Sequence, residues 1–153
     1  LHIQLAQKYS LPLIIHVRDN EELAYQETLQ ILKETMNSSM RFVLHCASGP
    51  TEYIQEAISL GGYIGFDGNS TYKNAGAIRE IILQTPPDKV LLETDAPYLP
   101  PHHRGKVCEP WMIAETAEYA ELVLKISPEK ILENTQNFFQ YDFENGKKQS
   151  RSK

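Results

Sequence analysis

The chain has 153 residues, of which 41% are hydrophobic and 23% charged, and its net charge is −5. Those proportions belong to an ordinary soluble domain, and no apolar run approaches the roughly 18 residues that a membrane span requires. The acidic balance argues against tight nonspecific clamping of duplex DNA, which relies on many basic phosphate contacts.

In chain order, the opening segment reads as a helix that leads into a short apolar strand at residues 11–16 (LPLIIH), ending in His16. Residues 21–36 carry apolar positions at helical spacing, and Asn37-Ser38-Ser39 stops them. Residues 41–45 (RFVLH) read as a second strand, ending in His45. A helix over 50–60 comes next, with Pro50 in its first turn and Gly61-Gly62 as its stop. Residues 63–66 read as a third strand and 75–83 as a third helix, and Pro86-Pro87-Asp88 forms the loop into a fourth strand at 90–92. Two helices close the chain, over 110–124 and 128–140, the second capped by Ser127 ahead of Pro128 and Glu129. The pair Phe138-Phe139 reads as packing on that amphipathic helix.

The fourth strand delivers Glu93, Thr94 and Asp95 into a stiff loop, because Ala96-Pro97 and Pro100-Pro101 prevent a helix from starting there. By strand alternation Glu93 and Asp95 share one face. A carboxylate at the mouth of a buried strand is expensive to desolvate without a cation or hydrogen-bond donors. His16, His45 and Asp95 all fall at carboxyl ends of strands in successive βα units, the face where ligands gather in parallel α/β sheets and barrels. Imidazole and carboxylate together suit Zn²⁺, Mn²⁺ or a mixed divalent site. Cys46 and Cys108 form no disulfide framework and read as free thiols of a cytoplasmic protein. Both lie near the expected site, so a thiolate ligand is the minor alternative.

These motifs resemble the TatD family of metal-dependent deoxyribonucleases, within the amidohydrolase-like TIM-barrel metallohydrolases. LPLIIHVRDN is similar to a strand with a metal-binding His, and RFVLHCASGP to the next such strand. GGYIGFDGNSTYKNAGAIREII resembles the seventh barrel strand and the segment after it. KVLLETDAPYLPPHHRGKVCEP resembles the family's last signature, and ISPEKILENTQNFF the closing helix with its Asn-x-x-x-Phe pattern. The resemblance runs from near Leu1 to about Phe139. The family's His-x-His strand and its bridging Glu have no counterpart here, and Cys108 stands where the family usually has Asn.

The resemblance implies an α/β fold that is the carboxyl-terminal half of a TIM (β/α)₈ barrel, about four parallel strands with flanking helices. Residues 1–141 are expected to form that part and 142–153 a basic, disordered tail. A complete barrel needs about 250 residues, so the isolated chain is expected to self-associate or to need the missing half. The implied activity is metal-dependent hydrolysis of phosphodiester bonds in DNA, as a 3′–5′ exonuclease on single-stranded ends, with two divalent ions (Mg, Mn or Zn) in the complete enzyme. His16 and His45 are the implied ligands of one ion, and Asp95 the ligand of the other and the catalytic proton acceptor. Arg18, Arg104 and Lys106 are candidates for phosphate contacts, with surface salt bridges as the alternative. Glu93 and Glu109 are candidates for supporting the ligands from behind, or are structural carboxylates. Two other functions compete: a D-aminoacyl-tRNA deacylase, which needs the same metals but attacks an ester, and a non-catalytic fragment or partner module.

Overall fold

The structure is a computed structural model that describes every residue except Ser38, His103, Arg104, Glu144, Asn145 and 149–153. Helix α1 (His2–Tyr9) leads into β1 (Leu13–Ile15), α2 (Leu23–Thr35), β2 (Phe42–Leu44) and α3 (Thr51–Ser59). Then come β3 (Tyr63–Phe66), α4 (Gly76–Gln84), β4 (Val90–Leu92), α5 (Ile113–Tyr119) and α6 (Pro128–Phe139). The four strands form one parallel sheet in the order β1-β2-β3-β4. That consecutive order has no reversal, which distinguishes it from a doubly wound sheet. No helix among the described residues is long and apolar enough to cross a membrane.

Helices cover one face of the sheet and α6 covers part of the other, where Ile14 of β1 stays exposed. On one face Phe42, Leu44, Ile64, Phe66 and Val90 pack with Tyr25, Leu29 and Leu32 of α2, Tyr53 and Ile54 of α3, and Ile81 and Ile82 of α4. On the other, Val43 and Leu91 pack with Phe138 of α6 and with Tyr63. The ladders end at Ile15 and Leu44, so His16 and His45 lie just beyond the last paired residues and their side chains are released at the rim.

Helix α6 begins as expected, with the Ser127 hydroxyl accepting the Lys130 N–H at 3.3 Å and Pro128 in the first turn. One helical turn separates the two buried members of the Asn-x-x-x-Phe pattern. Asn134 donates its side-chain amide to the carbonyls of Pro87 at 2.7 Å and Val90 at 2.8 Å, which latches the helix to the start of β4. Phe138 then fills the sheet face, edge-on to Tyr63.

Two expectations are corrected. The helix expected over 110–124 is three pieces: a 3₁₀ turn at Pro110–Met112, α5, and a widened π turn at Ala120–Leu124 that ends on Lys125 in the left-handed conformation. Apolar spacing alone does not distinguish an α turn from a π turn, so the sequence showed one element. The tail expected from residue 142 onward starts with a hairpin, in which β5 (Tyr141–Asp142) pairs antiparallel with β6 (Lys147–Lys148). Gly146 takes a φ of 62° in the turn, where a residue without Cβ reverses the chain at low cost. The basic residues at 149–153 lie outside the described residues.

Candidate active site

His16 and His45 leave neighbouring strands side by side, their ring centroids 5.5 Å apart. The position of His45 is fixed from three directions. Its backbone N–H donates to the Ile15 carbonyl at 2.9 Å. Its Nδ1 lies 2.8 Å from Glu93 Oε2, and its Nε2 3.4 Å from Asp95 Oδ1. His16, His45 and Asp95 therefore come together, and Glu93 stands behind His45.

Glu93 reaches His45 across an intervening strand. Its own N–H bonds to Phe66 of β3, while its carboxylate accepts both from His45 and from the backbone N–H of Cys46 at the end of β2. The carboxylate passes over Gly65, where a Cβ would stand 2.8 Å from both carboxylate oxygens. A bare backbone at position 65 is what admits the acid. Cys46 turns the chain in the left-handed region, with φ at 48°, and this aims its N–H at Glu93.

A third carboxylate, Asp67 at the end of β3, escaped the sequence reading. It is fully buried; one oxygen accepts the Asn69 N–H at 2.9 Å, and the other has no hydrogen-bond partner among the described residues. The Cys46 thiol lies beside it and is approached from the other side by the Asn69 amide at 3.8 Å. The signal that could have found Asp67 is its place: it comes after the third strand as His16 and His45 come after the first two.

The electrostatics arise from this crowding. Burial alone would depress the imidazole of His45, but the neighbouring Glu93 and Asp95 outweigh it and hold its pKa above the ordinary value. Burial raises the carboxyl groups of Glu93 and Asp67, against the hydrogen bonds that oppose the rise. The Cys46 thiol is pushed far up by burial and then by the surrounding carboxylates. His45, Glu93 and Asp67 thus all bind protons more tightly folded than unfolded, so the contribution of this cluster to stability is greatest at acid pH and falls as pH rises. In chelator, thermal unfolding should show the melting temperature falling from the ordinary carboxylate range through values above 6.5, the usual pKa of His45. His45→Gln should remove the upper part of that fall, and an unchanged profile would detach it from this cluster.

Loop packing presents Asp95. The Tyr98 N–H donates to the Asp95 carbonyl at 2.7 Å, and Tyr72 donates its hydroxyl to the Pro100 carbonyl at 3.0 Å. Gly68 is pressed so closely on this loop that a Cβ would come within 2.5 Å of Leu99 O and Pro101 N. Arg18 lines a polar cleft of about 390 Å³ between the β1–α2 and β2–α3 loops, with no ion pair or hydrogen bond among the described residues. Lys106 is exposed and makes no described contact with the cluster, and Arg104 lies outside the described residues. Glu109 does not support the ligands. It is turned outward ahead of the Pro110–Met112 turn and accepts the Trp111 indole N–H at 2.9 Å.

The donor set, two imidazoles and a carboxylate, has the chemistry of a divalent-metal site. Glu93 on Nδ1 fixes the tautomer that leaves Nε2 available, the usual arrangement behind a metal-binding His. Among the described residues no three His, Cys, Asp or Glu side chains close on a common point as a finished cage. The residues fit as a partial ligand set.

Comparison with known proteins places the chain in a family. A family model described as TatD related DNase matches residues 1–143. The metal-dependent hydrolase YcfH of Escherichia coli K12 is 37% identical over 139 residues, covering 90% of this chain and 51% of that protein. The 3′-5′ ssDNA/RNA exonuclease TatD of Klebsiella pneumoniae is 36% identical over 100 residues, 65% of this chain and 36% of that protein. Among solved structures, the TatD homologue YJJV of E. coli K12 superposes with a TM-score of 0.77 at 27% identity, covering 92% of this chain and 54% of that one. The chain spans about half the length of the relatives it matches. With a family model matching residues 1–143, nearly the whole sequence, the chain belongs to the TatD-related DNase family.

Proposed function

We propose that the protein is a metal-dependent hydrolase that cleaves phosphodiester bonds at single-stranded DNA ends, digesting from the 3′ end. The observation that carries this is His45 held between Glu93 and Asp95 with His16 beside it, all at the carboxyl ends of parallel strands. His16, His45 and Asp95 would hold divalent ions (Mg, Mn or Zn). Two ions need more ligands than these three side chains offer. We read the sheet, accordingly, as part of a (β/α)₈ barrel wall whose other strands complete the set.

Phosphodiester hydrolysis needs a nucleophile stronger than neutral water and compensation of charge on the non-bridging oxygens. A bound divalent ion supplies Lewis acidity and lowers the pKa of water. Asp95, at the rim, orients the attacking water and accepts its proton. Glu93 keeps the proton on Nδ1 of His45 and the Nε2 turned toward Asp95. Arg18, without an ion pair among the described residues, offers a planar guanidinium suited to two-point contact with phosphate. Lys106, which follows Asp95 in sequence, and Arg104, which lies outside the described residues, are further candidates for phosphate contact. The names of the relatives support this chemistry: YcfH is called a metal-dependent hydrolase and the Klebsiella protein an exonuclease.

Single-stranded oligonucleotides labelled at either end and incubated with Mg²⁺ or Mn²⁺ should shorten from the 3′ end, and chelator should stop the reaction. Intact strands beside rapid release of D-amino acid from charged tRNA would assign the site to ester hydrolysis instead. The supporting role of Glu93 has its own test. Glu93→Ala should weaken Mn²⁺ binding, measured by calorimetry, by about 10- to 100-fold. Unchanged affinity would reduce Glu93 to a structural acid.

A further inference from the structure

The rim beside Asp95 carries two aromatic rings that the fold leaves uncovered. Tyr98 is 68% exposed and Trp111 is 59% exposed. The segments that carry them meet where the Cys108 N–H donates to the Pro97 carbonyl at 2.9 Å. That bond lays the segment leading into Trp111 against the segment carrying Tyr98 and Asp95. The indole has a set orientation, with its only polar group, Nε1–H, donating to Glu109 Oε2 at 2.9 Å. Its faces are left for another surface.

The net charge of −5 limits what phosphate contacts can contribute to holding a polyanion. Base–aromatic stacking is the other general source of affinity for a single strand, and it tolerates any sequence because every base has a π face. A base pair inside a duplex has no free face to offer, so the occupant is an unpaired strand. We propose that Trp111, oriented by Glu109 and with Tyr98 as a second ring, stacks on unpaired nucleobases of the strand whose phosphodiester lies at Asp95. This rests on the nuclease reading above and adds to it how the substrate is gripped and why it must be single-stranded.

The sequence has one tryptophan, so indole fluorescence reports this position alone. In chelator, where no strand is cut, a short oligothymidylate should quench the emission, and an abasic deoxyribose-phosphate strand of equal length should not. By anisotropy of the labelled strand, Trp111→Ala should weaken oligothymidylate binding about tenfold to a hundredfold, and Trp111→Phe much less. Neither variant should change affinity for the abasic strand. Absent quenching, with equal affinity in wild type and Trp111→Ala, overturns the stacking; continued hydrolysis of oligothymidylate in Mn²⁺ would show that the nuclease reading survives. If no strand is bound or hydrolysed under any condition, the nuclease reading falls and the stacking falls with it.

Discussion

Asp95→Ala should reduce phosphodiester hydrolysis by about three orders of magnitude or more while the protein keeps its fold. The size reflects a double loss. The same carboxylate is asked to bind an ion and to accept a proton, and positioned proton transfer alone contributes about 10²–10⁴-fold. The retained fold is a matter of location: Asp95 sits in a loop at the rim, half-exposed, and contributes nothing to either apolar layer. What the loop needs from residue 95 is its backbone carbonyl, which still accepts the Tyr98 N–H in the variant. The measurement is single-turnover cleavage of an end-labelled strand in Mn²⁺, with circular dichroism as the control on folding. Near-wild-type cleavage by a folded Asp95→Ala protein would remove Asp95 from the chemistry.

The second large effect concerns stability. Asn134→Ala should cost about 1–3 kcal/mol, because it removes the donor to the buried Val90 carbonyl and to the part-buried Pro87 carbonyl. An unpaired buried group such as the Val90 carbonyl carries a desolvation penalty of about 1–3 kcal/mol, while water can replace the amide at the exposed Pro87. Asn134 is 1% exposed, and its two acceptors, Pro87 and Val90, flank the entry to β4. Loss of the latch also loosens Phe138, one turn further on. Chemical denaturation should show a lower midpoint with little change in slope. Asn134→Asp should be at least as damaging, since a carboxylate can donate to neither carbonyl. A midpoint within error of wild type for Asn134→Ala would mean that α6 is held by its apolar face alone.

Much of this was legible in the residues. The strands at 63–66 and 90–92 lie where their β-rich runs predict, and His16, His45 and Asp95 converge because a parallel sheet sends all its carboxyl ends to one side. Local sequence carries that information. What it does not carry is contact across strands. Glu93 could be read as a supporting acid or a structural one, and only its bonds to His45 and to the Cys46 N–H separate the two. Glu109 reads the same way in sequence and turns outward to Trp111, because a 3₁₀ turn comes after it where a regular helix was expected. Asp67 before Gly68 has the appearance of a turn dipeptide, yet it is fully buried, and the neighbouring Gly68 packs against Leu99 and Pro101, more than thirty positions along the chain.

The span of Glu93 has a mechanical meaning. Its carboxylate grips the end of β2 from the end of β4, so β3 runs beneath it with Gly65 as the clearance. The distance being bridged is two strand spacings, and it changes with the curvature of the sheet. The His45 imidazole is consequently gauged against that curvature: flattening or tightening the sheet would shift the ring relative to Asp95. The bare position 65 and the long acid at 93 also act as one inherited unit, since a methyl group at the first would evict the second. A lineage that gained a side chain at 65 would have to give up this grip and orient its imidazole from elsewhere.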